Sequence, residues 1–408
     1  MTDASWIGEG AAAVCVLLIL VNLLSLAVAT VRLRPVRALL PRPANGAPIS
    51  LVRPVCGLEP YSEETIASGF RLDYPRYELI FCVARGDDPV VPLVERLRAA
   101  HPEIPSQLIV GDVKVSGNPK LNNCVRGWEA ARHDWVVLAD SNVLMPPDYL
   151  QRLLSAWRPD TGLVCSTPAG SRPNGFWAEV ECAFLNTLQA RWQYVGEAFG
   201  FGFAQGKSML WKKSFLDARG GIRALAAEIA EDAAATKLVR AAGLHVHLVN
   251  APFEQPLGPR EAREIIDRQF RWARLRRVTF PLFFAPEIFA GAAVPLATGA
   301  YAALAAGWNP LAAIGAVLLL WYGPELALAR RMGWFLSWRL PLACLTRDLV
   351  FPFIWAYAFV ADGVVWRGNA MTIEVGRGRT APGLGFALGR PSTRRSPAPT
   401  AARDEFGE

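Results

Sequence analysis

The sequence predicts an α/β domain built on a mostly parallel, Rossmann-like sheet and set between membrane helices. Three observations predict it. Strand-like and helix-like stretches alternate between residues 35 and 279, a 21-residue uncharged stretch precedes them at 11–31, and apolarity returns from Phe280. Short acidic signatures fall at the ends of the apolar runs, and open α/β sheets gather their sites at the carboxyl ends of strands. The chain has 408 residues, 52% of them hydrophobic, and is too apolar to be entirely soluble.

The first element is the membrane stretch itself. AAAVCVLLILVNLLSLAVATV, at 1.5 Å per residue, is long enough to cross about 30 Å of hydrocarbon. A cleaved signal peptide is the competing reading, but the segment lacks a basic leader and a clean small-residue cleavage site. Arg32, Arg34, Arg37 and Arg42 follow it, and the positive-inside rule puts the next domain in the cytosol. These features divide the chain into a membrane helix at 1–34, a cytosolic α/β domain at 35–279, a membrane region at 280–366 and a disordered tail at 367–408.

Within the cytosolic domain, strands are expected at 51–56, 77–84, 106–111, 134–139 and 162–167, with helices near 62–70, 90–101 and 121–132. That alternation implies a parallel sheet with helices on both faces. No glycine fingerprint for a dinucleotide follows these strands. Gly206-Lys207-Ser208 fails as a P-loop because Phe201 stands where its first glycine belongs. Phosphate must then be held through a metal and Arg. The 43 Lys and Arg residues include only six Lys, a bias that suits phosphate or anionic headgroups. No groove-reading motif points to nucleic acid. The seven cysteines lack any C-x-x-C pair and read as packing residues in a reducing compartment.

The candidate chemistry lies at four places. Asp87 and Asp88 end the second strand, where a carboxylate can accept from a nucleoside, although Asp88-Pro89 is also a good turn signal. Asp140 ends the strand DWVVLAD and could anchor a diphosphate through Mg²⁺ or Mn²⁺, with Asn142 where a second Asp is common. Glu231 and Asp232 begin a helical stretch, either as complements to its dipole or as a general base for an acceptor hydroxyl. EAREIIDRQFRWARLRRV, at 261–278, sets Arg268, Arg271 and Arg274 along one helical face and reads as an interfacial helix ending the cytosolic domain at 279.

Beyond it, spans are expected at 288–306 and 310–329. The stretch 340–362, broken by Pro341, Arg347-Asp348 and Pro352, is either re-entrant or a further span, giving two or three C-terminal membrane helices.

The text between these places is more specific than the acids. LDYPRYELIFCVARGDDP (72–89), GNPKLNN (117–123), ADSNV (139–143), GFAQGKSMLWKK (202–213), AEDAAATKLV (230–239) and RQFRW (268–272) together resemble the ceramide glucosyltransferase family of inverting GT-A glycosyltransferases, from about Leu51 to Trp366. The resemblance implies a GT-A fold and a UDP-sugar donor, held by Asp87, Asp88, Lys120, Asp140, Arg268, Arg271 and Trp272. It implies a divalent cation at Asp140, Asp232 as catalytic base, and Glu231, Gln189 and Trp272 on the acceptor side. The implied reaction is hexose transfer, glucose first, to the primary hydroxyl of ceramide; the Ala- and Arg-heavy, Lys-poor composition favours a bacterial inner membrane over a Golgi face. Animal members carry His-Pro where this chain has Gln189-Ala190, so the acceptor pocket is expected to differ there. Transfer to a hopanoid or diacylglycerol, or a non-catalytic membrane protein with a transferase-like domain, are the rival readings. The oligomeric state stays open.

Overall fold

In the computed structural model, which describes residues 3–360, 363–366 and 369–372, the apolar runs form strands where the sequence predicts them. They are β1 (Ile49–Pro54), β2 (Tyr77–Val83), β3 (Ser106–Val110), β4 (Trp135–Ala139) and β5 (Thr161–Ser166). β1, β2 and β5 are buried throughout, as strands covered on both faces must be. The expected helices appear as Ser62–Ser68, Val91–Ala100 and Pro119–Ala130. Four further strands are present: β6 (Pro168–Asn174), β7 (Ser208–Lys212), β8 (His245–Leu248) and β9 (Phe253–Pro259). They are short or carry proline and glycine, so no apolar run announces them.

The main sheet has the order β3-β2-β1-β4-β7-β5-β8. β3, β2, β1 and β4 are parallel, β7 is antiparallel to both of its neighbours, and β8 is parallel to β5. This is the mostly parallel, GT-A-type sheet that the sequence predicts, with one reversed strand inserted. From β1 the chain passes to β2 and β3 on one side and to β4 on the other, so the switch point lies between β1 and β4. A crevice opens there at the carboxyl ends of the strands. β6 and β9 pair separately as a parallel ribbon.

Alternate residues of β1 feed two cores, one on each face of the sheet. Leu51 packs with Phe70, Phe81 and Tyr149. Val52 belongs to a cluster that includes Trp128 and Trp211 and extends to Leu26 and Ala29 of the first helix, Asp3–Arg32, to Leu33 just after it, and to Leu328 and Ala329. The sheet and the apolar helices therefore share one core.

Two described helices, Trp6–Arg32 and Pro310–Met332, are long and apolar enough to cross a membrane. A third crossing is available if Pro281–Phe289 and Ala293–Ala305, bent by 42° at their junction, act as one span. The helix Leu340–Tyr357 is not among them; it carries the buried charges Arg347 and Asp348 within its length. The tail expected from 367 lies outside the described residues except for 369–372, which pair antiparallel with 363–366.

The junction of sheet and membrane helices is polar and closed. Arg32, at the end of the first helix, pairs with Glu197 and donates to Leu248 O at 2.7 Å and Asn250 Oδ1 at 3.2 Å. His247 in turn lies between Glu197 and Asp160, at 3.2 and 3.1 Å. Deeper in, Arg191, Glu325, Arg347 and Asp348 are all fully buried. Glu325 meets Arg191 at 3.2 Å and Arg347 at 3.1 Å, and Arg347 meets Asp348 at 2.6 Å. Asn22, Thr187 and Tyr322 supply further hydrogen bonds, so two cations and two anions neutralise one another out of water. Glu325→Leu removes one anion and leaves two guanidinium groups facing a single carboxylate. The expected loss is about 3 to 5 kcal/mol, read as a lowered thermal midpoint of the detergent-solubilised protein; an unchanged midpoint would show that the network is not structural.

Candidate active site

The sequence text GNPKLNN folds into the start of a helix for local reasons. Asn118 is the N-cap, its side chain accepting from the Lys120 and Leu121 N–H groups, and Pro119 occupies the first turn, where its missing N–H costs nothing. Asn122 Oδ1 accepts from the Val115 and Ser116 N–H groups, and Asn123 donates to Cys82 O at the end of β2. Each asparagine thus fixes a piece of loop, and together they aim Lys120 across the ends of the strands.

Lys120 is largely covered, and its ammonium has three protein acceptors. Asp140 Oδ1 and Glu231 Oε1 are each 2.7 Å away, and Gly206 O accepts at 2.5 Å. Three chain-distant segments, the end of β4, the loop before β7 and the helix Glu231–Ala241, converge on one side chain. The other oxygen of Asp140 meets Lys207 Nζ at 3.0 Å, and Lys207 also donates to Asn142 Oδ1 at 3.0 Å. Burial disfavours the Lys120 charge, but Asp140 and Glu231 outweigh it and raise its pKa. Burial likewise works against the Asp140 anion, yet Lys120 and Lys207 bring its pKa down to about 2.

Glu231 and Asp232 are neighbours with different surroundings. Glu231 is buried and divides its oxygens between Lys120 and Asn118 Nδ2, the latter at 2.6 Å. Among the described residues Asp232 accepts from backbone N–H groups alone, Ala233 at 2.8 Å and Gly206 at 3.3 Å. Burial, then the adjacent Glu231 charge, push the Asp232 carboxyl up to about 7. A pair of carboxylates with such unlike surroundings is the pattern of a site that assigns one to structure and one to proton transfer.

The crevice at the switch point is lined by Cys56, Gly57, Glu59, Tyr61, Ser141 and Asn142, among others. Asp88 shapes its rim: Oδ1 accepts from Gly57 N at 2.8 Å and from Val90 N at 2.9 Å, which ties the loop after β1 to the loop after β2. Asp87 turns the other way, two-thirds exposed and paired with Arg85. Arg268 lies beside the buried Glu181, which also faces Arg260 at 3.5 Å, and Arg260 reaches Glu59 on the crevice wall at 3.5 Å. Burial lowers the Arg268 pKa, with Glu59 opposing the shift.

On the helix Ala262–Thr279, Arg268 turns to Glu181 and Arg274 stacks over Tyr357, so protein covers part of its Arg face. Gln189 lies in a π-helical stretch, Phe184–Ala190, and donates to Gln269 of this helix at 3.1 Å. Trp272 packs on a cluster of Cys182, Leu185 and Leu257. Lys120, Asp140, Glu231 and Asp232 therefore form one cluster. Asp88 and Arg268 border the crevice, Gln189 and Trp272 buttress the Arg helix, and Asp87 faces solvent. Arg271 extends from the same helix.

Four contributors escape a reading by motif. Arg53, fully buried in β1, donates to Asp140 O, Ser141 O and Val143 O at 3.1 to 3.3 Å and so sets the backbone of the Asp140 loop. Its only signal was a charge inside the apolar run LVRPVC. Lys207 and Gly206, set aside with the failed P-loop, are central. Cys56, unlike the six buried cysteines, is exposed on the crevice.

Residues 17–379 match the model of glycosyl transferase family 21. The chain belongs to this family. It is similar to ceramide glucosyltransferase 1 of Caenorhabditis elegans, at 26% identity over 335 residues, covering 80% of this chain and 72% of that one. It is also similar to the ceramide glucosyltransferase of Komagataella phaffii, at 32% over 124 residues, 29% of this chain and 24% of that one. Among solved structures, a mannosyltransferase of Pyrobaculum calidifontis in complex with GDP-Man and Mn²⁺ aligns with 84% of this chain and 99% of its own, at 18% identity and a TM-score of 0.49. As a family 21 member the chain is a glycosyltransferase.

The tight convergence on Lys120 makes Gly206 a sensitive position. A Cβ there would sit 2.7 Å from Glu231 Oε1 and 2.8 Å from Lys120 Nζ. Gly206→Ala is expected to cut transferase turnover by about 100-fold through misplacement of these groups, with the circular dichroism spectrum unchanged. Wild-type turnover in this variant would contradict the geometry.

Proposed function

We propose that the protein transfers a hexose, with glucose the first choice, from a UDP-sugar to the primary hydroxyl of ceramide, with inversion at the anomeric carbon. The observation that carries this is Asp232: a carboxylate raised to about 7, held only by backbone N–H groups, beside a lysine-bridged acidic cluster at the switch point of the sheet. The acceptor hydroxyl oxygen attacks the anomeric carbon and passes its proton to Asp232. The bond from sugar to phosphate breaks on the opposite face, and the nucleoside diphosphate leaves with the electron pair. Glu231, tied to Lys120 and Asn118, positions rather than accepts.

The donor is assigned to the crevice, with the Asp88-fixed loop as its nucleoside rim and Arg268, Arg271 and Trp272 on the diphosphate and acceptor side. Lys120, whose three protons already have protein acceptors, acts by holding Asp140, Glu231 and the Gly206 loop in register. A divalent cation, Mg²⁺ or Mn²⁺, suits the donor set. Asp140 Oδ2 and Asn142 Oδ1 already converge on one cationic group, the Lys207 ammonium, at 3.0 Å each. No cluster of three or more His, Cys, Asp or Glu side chains that could hold a metal occurs among the described residues, so phosphate oxygens would supply the remaining ligands. Bound there, the cation would neutralise charge on the departing diphosphate.

The ceramide assignment is supported by the similarity to ceramide glucosyltransferases over 80% of the chain. It is supported too by a core that the sheet shares with apolar helices, since a lipid acceptor cannot leave the bilayer without wetting its tails. A bacterial inner membrane with the sheet on the cytosolic side is the proposed setting, consistent with the Arg-rich stretch after the first helix.

Membranes from expressing cells, given labelled UDP-glucose and ceramide, are expected to yield glucosylceramide with the wild type and none with Asp232→Asn. The deprotonated fraction of a group with a pKa near 7 falls as pH drops, so kcat/KM should decline about tenfold per pH unit below that value. Equal product from both proteins, or a flat profile between pH 5 and 8, would overturn the assignment of Asp232.

A further inference from the structure

The loop that leads into the candidate active site begins on an exposed aromatic surface. Phe199 and Phe201 are 62% and 54% exposed, and beside them Leu282 and Phe283 are 87% and 53% exposed. The Phe201 and Phe283 rings lie 5.9 Å apart, which joins the two pairs into one patch. Exposed apolar residues scattered singly need no explanation, but a contiguous patch does.

Both halves of the patch are held outward by defined contacts. Phe201 N donates to Gly196 O at 2.7 Å, and Arg240 donates to Phe201 O and Gly202 O at 3.2 and 3.1 Å, so the backbone is pinned while the rings face out. Gly202 sits so close to β8 that a Cβ would fall 2.1 Å from Val246 O. On the other side Phe284 is buried in a stack with Trp355 and Phe359, which turns its neighbours Leu282 and Phe283 away from the protein.

The patch includes the start of an apolar helix pair and is tied to the acidic cluster through a short run of chain. Pro281–Phe289 is the first half of the bent apolar pair that can act as a span. From Phe201 the backbone runs five residues to Gly206, whose N–H donates to Asp232 and whose carbonyl accepts from Lys120. Five extended residues cover at most about 18 Å, close to the ~15 Å depth of one leaflet of a 30 Å hydrocarbon core. A single lipid can therefore have its chain at Phe201 and its hydroxyl at Asp232.

We propose that Phe199, Phe201, Leu282 and Phe283 form the seat for the hydrocarbon chain of the membrane acceptor, from which the 201–206 segment guides its hydroxyl to Asp232. This inference rests on the reading that the acceptor is a hydroxyl-bearing membrane lipid, and it names the surface that receives it.

The test is a ceramide carrying a diazirine in its acyl chain, photolysed with the full-length protein in phosphatidylcholine nanodiscs and mapped by mass spectrometry. Label is expected in peptides spanning 199–203 and 280–284, displaced by unlabelled ceramide. In parallel, Phe199→Ser/Phe201→Ser is expected to raise KM for long-chain ceramide about tenfold while leaving KM for the donor, and turnover of a short-chain soluble analogue, unchanged. Labelling elsewhere, equal labelling by a phosphatidylcholine diazirine without competition, or an unchanged KM would overturn the seat. So would an equal loss with the short-chain analogue. Competable label at these peptides in a wild type that glycosylates no lipid would uphold the seat and defeat the ceramide reading; glucosylceramide synthesis without that label would do the reverse.

Discussion

The ammonium group of Lys120 is the constraint on which the candidate site depends. Asp140, Glu231 and Asp232 bring three carboxylates into one partly desolvated space, and unpaired they would repel one another. Lys120 joins two of them and the Gly206 carbonyl, while Lys207 holds the second oxygen of Asp140. What remains is Asp232, close enough to Glu231 to feel its charge and without a cationic partner in direct contact among its hydrogen bonds. The ion pairs that fix the cluster thus also leave one carboxyl able to exchange a proton near neutral pH.

The same logic recurs at the membrane side. Arg32 at the end of the first helix grips Glu197, and Arg191 from the helix that follows the π-helical stretch meets Glu325 and, through it, Arg347. These contacts weld the helices to the sheet through charges that are costly to separate in an apolar surround. The result is a sheet whose strand ends stand at a fixed height relative to the apolar helices. The acceptor proposed above, a lipid anchored in the bilayer, requires that.

Much of the fold was legible because β1, β2, β4 and β5 are buried strands and so appear as apolar runs. Their carboxyl ends gave Asp88 and Asp140 a place before any geometry was known, and the helix beginning at Glu231 followed from its amphipathic pattern. Other features depended on tertiary contacts that leave no periodic trace. β7 is five residues long and is defined only by antiparallel pairing on both sides. Arg53 and Lys207 act through partners 87 and 67 residues away, in the order of Asp140 from each. Asp87 and Asp88 look equivalent in sequence, but the Gly57 N–H captures only Asp88, and Asp87 is left to Arg85. Nothing local to the Arg-rich helix reveals the buried Glu181 that draws Arg268 inward.

The most direct test of the central claim is the affinity of Lys120→Met for UDP, measured by calorimetry on the purified protein with Mn²⁺ present. If Lys120 holds the strand-end segments in register, binding should weaken at least about tenfold, the ~1.4 kcal/mol equivalent of a disordered site, and turnover should be lost while the helical content is kept. Wild-type affinity and turnover in Lys120→Met would contradict the account, since the site would then assemble without the contact said to build it.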